Sequence, residues 1–186
     1  MTHVPVVAVF GISGVGKSWM IGRYIDHHPA LHVQASQLLR ESKAAVSGKN
    51  VSAEDLRKGA VLDNQSLLIE AFTRLRVTAK RPILFDGHCV VDNGEQLIAI
   101  PGEVIDGLAI MSIVFVEGSA REIAQRRRDD TARVRPTRST EELYQYQQRA
   151  KAICQTYHET LGLTLTIIAA GDEAAFAMAL KASFAN

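Results

Sequence analysis

A three-layer α/β sandwich, with a five-stranded parallel sheet between helices, is the fold this sequence predicts, and two observations predict it. Short β-branched apolar runs alternate with amphipathic stretches along the whole chain, as expected when parallel strands are joined by crossover helices. The first run, Val4 to Phe10, opens onto Gly11-Ile12-Ser13-Gly14-Val15-Gly16-Lys17-Ser18, which fits G-x-x-x-x-G-K-[ST] at every fixed position.

The elements follow in order. After the glycine-rich turn, Trp19-Met20-Ile21 and Tyr24-Ile25 recur at helical spacing, and the helix should end near His27-His28-Pro29. "ALHVQA" reads as a second strand and "SQLLRESKAAV" as a helix. "SGKN" is a turn, and Ser52 with Asp55 starts a further helix that runs, with a break near Gly59, to about Ala79. Pro82 to Phe85 forms the third strand, Asp86 to Gly107 reads as a loop-rich stretch, and "LAIMSIVFV" is the fourth strand. A helix from Ser119 to about Asp129, a basic segment, a helix from Ser139 to about Leu161, the strand "LTLTIIA" and a helix after Gly171 complete the chain.

Length and composition bound the rest. The 186 residues, 47% hydrophobic, suffice for one domain with a full core. A net charge of +1 gives no bulk electrostatic pull toward nucleic acid or membrane. The two cysteines, Cys89 and Cys154, are far apart in sequence and lack metal-site spacing, a usage that fits a reducing compartment. No apolar stretch reaches the length of a membrane span, and a signal-peptide pattern is missing, so a cytoplasmic protein without a membrane or nucleic-acid partner is expected.

The chemistry starts at the glycine-rich turn. There, glycines let successive N–H groups face phosphate oxygens, and the next helix adds its positive end. Gly11, Ser13, Gly14, Val15, Gly16, Lys17 and Ser18 are therefore expected to hold the phosphates of a nucleotide, with Lys17 as the charge on the β- and γ-phosphates and Ser18 as a ligand for Mg2+. Trp19 is either core packing or part of an altered nucleotide contact. Asp86 closes the third strand, where open α/β sheets place their ligands, and is expected beside Ser18 at the metal. His88 is either structural or turned to the substrate.

"REIAQRRRDDTARVRPTRST" holds seven arginines and no lysine. Guanidinium groups bind phosphate bidentately and stack on bases, so the segment at about 126–138 reads as a lid. One of Arg126 and Arg127 is expected on the adenine, and Arg133 and Arg135 on the phosphates as catalytic groups. Arg121 and Arg128 are expected on the surface, and the role of Arg138 is open. An acceptor needs its own site, for which a helical insert at about 35–79 is available. Arg40 and Arg57 are candidates there for an acceptor phosphate, and Gln65 for a base edge.

Taken together, "VVAVFGISGVGKS", "QASQLLRE", "LRKGAVLDNQ", "ILFDGHCVVDNGEQLIAIP" and "REIAQRRRDDTARVRPTRSTEELYQYQQRAKA" resemble the nucleoside monophosphate kinases, a P-loop NTPase family, in particular the adenylate kinases of the archaeal type. Asp86-Gly87-His88, Gly94, Pro101, Arg126-Arg127 and Arg133-Val134-Arg135 carry the likeness. Pro136 replaces an acidic residue, and Ser36-Gln37 replaces the glycine pair before Arg40. The resemblance implies a single kinase domain over 1–186, ATP-dependent phosphorylation of a nucleoside monophosphate with AMP the first choice, and a homo-oligomer as an allowed assembly. A small-metabolite kinase of the gluconate kinase type and a non-catalytic ATP-sensing module are the alternatives.

Overall fold

The computed structural model describes residues 4–48, 52, 56 and 61–185. Its elements are β1 (Val6–Phe10), α1 (Lys17–Ile25), β2 (Leu31–Gln34), α2 (Ala35–Ser47), α3 (Val61–Thr78), β3 (Ile83–Asp86), β4 (Val90–Asp92), β5 (Leu97–Ala99), α4 (Gly102–Gly107), β6 (Ser112–Glu117), α5 (Ala120–Asp129), α6 (Thr140–Leu161), β7 (Thr164–Ala169) and α7 (Glu173–Phe184). The main sheet runs β2-β3-β1-β6-β7, and every pairing in it is parallel.

β1 lies at the centre and is buried along its whole length. A strand covered on both faces needs no polar alternation, which is why Val6 to Phe10 reads as an unbroken apolar run. Phe10, Phe85 and Phe115 belong to the same core, which continues into α1 through Met20 and Ile21 and into α6 through Leu143, Ala150 and Cys154. Register decides what this core positions. Val9 of β1 and Gln34 of β2 both pair with Asp86 of β3, so these three strands end level with one another.

The loop-rich stretch from Asp86 to Gly107 also holds short regular elements that the sequence reading did not name. β4 and β5 form an antiparallel hairpin there, and the short helix α4 follows. The turn between the strands holds Asn93-Gly94, whose Gly94 has a φ of 99°, the pairing that favours a tight hairpin. The hairpin is tied to α6 by three side chains. Tyr146 Oη donates to the carbonyl of Val90 at 2.9 Å, Tyr157 Oη donates to that of Ile100, and Arg138 grips Asp92 through Nε at 3.2 Å and Nη2 at 2.8 Å. Cys89 and Cys154, remote in sequence, meet here as buried free thiols with Sγ atoms 3.5 Å apart.

α6 starts with a capping box. Ser139 Oγ accepts from the Glu142 N–H at 3.1 Å, and Glu142 Oε2 accepts from the Ser139 N–H at 2.7 Å. The helix start expected at Ser52 and Asp55 falls largely outside the described residues. Loss of the Ser139 hydroxyl should remove one reciprocal bond from a two-bond cap, so Ser139→Ala should cost about 1 kcal/mol. Urea unfolding should show a lower midpoint with an unchanged slope, and the melting temperature should fall by roughly 2–4 °C.

Candidate active site

Two glycines of the turn after β1 stand where nothing larger fits. A Cβ on Gly11, whose φ is 148°, would lie 2.5 Å from the carbonyl oxygen of Val116, and one on Gly14, at φ 90°, would lie 2.7 Å from Cγ of Arg127. Gly16 then stands as the N-cap of α1 without a side-chain cap. The first-turn N–H groups of α1 thus keep their donor capacity and face the cleft that the turn encloses, an arrangement suited to an anion.

Lys17 is 6% exposed, and its Nζ donates to the carbonyl of Gly11 at 3.0 Å. Burial pushes its pKa down, the carboxylate of Asp86 opposes that shift, and Arg133 and Arg135 add to it. Ser18 Oγ donates to Asp86 Oδ2 at 2.6 Å, and His32 Nε2 lies 3.2 Å from the same oxygen. Burial alone would raise the pKa of Asp86. The hydrogen bond from His32, the charge of Lys17 and the hydrogen bond from Ser18 outweigh it and bring the carboxyl down to about 2. Asp86 is therefore an anion at neutral pH. One hydroxyl and one carboxylate are hard oxygen donors of the kind magnesium takes beside substrate phosphates and water, so the residues present fit that ion.

His88 is bonded to the loop backbone and also faces the cleft. Its Nδ1 lies 2.9 Å from the carbonyl of Gly11, which can only accept, so Nδ1 carries the proton. Its pKa is lowered to about 3, by desolvation first and by the Lys17 charge second. The ring also has an exposed edge on the cleft, where water offsets part of the desolvation, while the push from Lys17 acts regardless. His88 is thus a neutral group at neutral pH.

Lys17, Ser18, Asp86 and His88 line a cavity of about 330 Å³ that also contains Trp19, Arg126, Asp130, Arg133 and Arg135. Trp19 is 55% exposed, which rules out core packing and leaves its indole at the cleft. Arg126 and Arg127 part company. Arg126 Nη1 donates to the carbonyl of Val15 at 2.8 Å, at the edge of this cavity. Arg127, placed by sequence among the donor-nucleotide groups, instead donates through Nη2 to the carbonyl of Pro136 at 2.9 Å and lines a second cavity. The two residues are neighbours on α5 and point about 100° apart, which is the reason for the split. Arg135 donates through Nε to Ser13 Oγ at 3.0 Å and pairs with Asp130 at 2.5 Å. Both Arg127 and Arg135 retain a buried Nη1 without a partner, an unmet demand for an acceptor. Arg121 and Arg128 are exposed, as expected.

The second cavity measures about 640 Å³ and shares Ser13, His88, Arg133 and Arg135 with the first. Leu39, Leu56, Leu68, Val90, Val104 and Ile105 give it an apolar wall, and Arg40, Asn64 and Gln65 also face it. Arg57 lies outside the described residues. Asn64 Oδ1 and Gln65 Nε2 are buried without partners, while Asn64 Nδ2 donates to the carbonyl of Leu56 at 2.9 Å. Sequence reasoning missed three contributors: His32, Asp92 and Asp130. His32 stands two residues before Gln34 on the same strand face, and that alternation was the available signal.

The chain is similar to several known proteins. The AAA domain family matches residues 10–144. The adenylate kinase of Thermococcus kodakarensis is 30% identical over 159 residues, 82% of this chain and 81% of that one. The adenylate kinase of Pyrococcus horikoshii is 31% identical over 157 residues, covering 82% and 79%. A shikimate kinase structure from Bacteroides thetaiotaomicron has a TM-score of 0.59 at 12% identity over 96% of this chain and 95% of that one, a likeness of fold alone.

Acid should expose the Asp86 network. A folded pKa of about 2 against an ordinary 3.8 means that the charged carboxylate stabilises the fold above about pH 4 and that this contribution fades as pH falls toward 2. Asp86→Asn should be less stable than the parent chain, with about 2 kcal/mol of the gap tied to the charge. Denaturant unfolding across pH should find the gap constant above pH 5 and narrowing between about 4 and 2. A gap independent of pH would overturn the assignment.

Proposed function

The chain belongs to the phosphate-loop nucleoside monophosphate kinases, beside the archaeal adenylate kinases, and we propose that it passes the terminal phosphoryl group of ATP to AMP. ATP-dependent transfer to a nucleoside monophosphate is the activity of this family branch. The observation that carries the reading for this site is the pair of adjoining cavities. One is floored by the phosphate loop, the other is walled by apolar side chains, and Arg133 and Arg135 belong to both.

In this reading the γ-phosphate of ATP rests on the loop N–H groups and Lys17. The acceptor phosphate enters from the larger cavity past Arg40, and its oxygen attacks phosphorus in line as the bond to ADP breaks. Arg133 and Arg135 sit where charge spreads over the transferred group and stabilise it there. Ser18 and Asp86 would hold magnesium, which supplies charge neutralisation across the phosphates. Arg126 lies over the loop on the donor side, and Arg127 holds the lid by its bond to Pro136. Closure of the 126–138 segment over both substrates keeps water from the γ-phosphate. Gln65 and Asn64 present polar atoms to the base of the acceptor from the insert at 35–79.

Anion-exchange analysis after incubation with Mg-ATP and AMP, CMP, UMP, GMP, dAMP or gluconate, one at a time, tests the proposal. ADP should accumulate at twice the rate of ATP loss with AMP. Phosphogluconate, or ATP loss that no acceptor stimulates, would overturn it. Lys17→Ala should reduce kcat/KM by roughly 10³-fold or more while the circular dichroism spectrum stays unchanged.

A further inference from the structure

We infer that His32 is a positioning residue of the phosphate site, holding the Asp86 carboxylate so that Asp86 and Ser18 are set to receive a nucleotide-bound divalent cation. The inference rests on the reading of Ser18 and Asp86 given above and adds a residue outside both cavities. β2 pairs with β3 so that His32 faces Leu84 in register and Gln34 faces Asp86. His32 therefore lies one step below Gln34 on the same face of the strand, and Gln34 lines both cavities.

Hydrogen-bond chemistry fixes the direction of each contact. An ionised carboxylate only accepts, so Nε2 of His32 carries a proton in its 3.2 Å contact, and the Ser18 hydroxyl hydrogen is committed to Asp86 at 2.6 Å. Ser18 Oγ then keeps its lone pairs for a cation. Both donors meet the same oxygen, Oδ2, and they come from different elements, β2 and α1. Two bonds from two directions fix the plane of a carboxylate, whereas the Ser18 bond alone would let it turn.

A competitor makes that restraint necessary. Lys17 is buried near Asp86, and the two attract each other. A carboxylate free to turn would pair with Lys17 and withdraw both from phosphate and cation. With His32 in place, Lys17 Nζ rests on the carbonyl of Gly11 at 3.0 Å instead. His32 is half-buried on an edge strand, so its hydrogen bond can be deleted without opening the centre of the core.

Calorimetric titration with ADP, in which no turnover occurs, tests this with and without magnesium. In the parent chain magnesium should tighten ADP binding. His32→Leu fills the space without a donor and should lose about tenfold of that tightening, the scale on which outer-sphere partners act on metal affinity. Its ADP affinity in EDTA should stay within about twofold of the parent, as its loop contacts persist. His32→Gln restores an N–H donor and should recover the magnesium effect. An unchanged magnesium effect in His32→Leu, an equal loss in EDTA, or failure of glutamine to rescue would each overturn the inference while leaving the kinase reading intact. Absence of any magnesium effect in the parent chain would overturn the cation site itself and His32 with it.

Discussion

Parallel pairing of β1 with β3 is the constraint on which the site depends. That register sets Val9 opposite Asp86, and the loop that leaves β1 one residue later returns Lys17 and Ser18 to the same place. A slip of one residue would turn Asp86 to the other face of the sheet and separate it from both. β1 is buried on both sides and paired along its length with β3 and β6, which holds the register from both edges. Packing in the core thus determines a contact of 2.6 Å at its rim.

Charge at that rim is concentrated although the chain as a whole carries only +1. Lys17, Arg126, Arg133 and Arg135 face Asp86 and Asp130 around the smaller cavity. The acids serve different ends. Asp86 is held as an anion by three neighbours, whereas Asp130 pairs with Arg135 and so holds the 126–138 segment beside Ser13. Asp92 does the same farther out, through its two bonds to Arg138. Arg138 in turn fixes the end of the 126–138 segment: it joins the hairpin turn at Gly94 to the first turn of α6 at Glu142. The unpartnered Nη1 atoms of Arg127 and Arg135 show that the protein's own acids do not satisfy its guanidiniums. A phosphate oxygen would relieve that cost on binding.

Much of this was legible in the sequence because the relevant signals are local. The phosphate loop is one contiguous motif, and strand and helix periods are read within a few residues. Asp86 was legible from its place at a strand end. The hairpin was not, since β4 and β5 have only three residues each, too few for alternation to emerge, although Asn93-Gly94 carried the turn signal. Residue type also does not fix direction. Arg126 and Arg127 look equivalent in sequence, yet one reaches the phosphate loop and the other turns inward toward Pro136. His32 and the Cys89–Cys154 contact depend on pairing between distant segments, which local spacing cannot supply.

The shared arginines also bear on what the acceptor must be. Arg133 and Arg135 line both cavities, so each guanidinium is available to a phosphate in either one. Phosphate is the group that ATP and a nucleotide acceptor have in common, and a guanidinium recognises it as a bidentate partner. A sugar acid brings hydroxyls along its whole length, and those set against Leu39, Leu68, Val104 and Ile105 would meet no hydrogen-bond partner on that wall, a burial that costs free energy for each such group. A nucleoside monophosphate is divided in the same way as the cavity, with its anion at one end and an apolar base face at the other. Arg40 and the shared arginines can take the first, the aliphatic wall the second, and the unpartnered amide atoms of Asn64 and Gln65 can read polar atoms along the edge of the base.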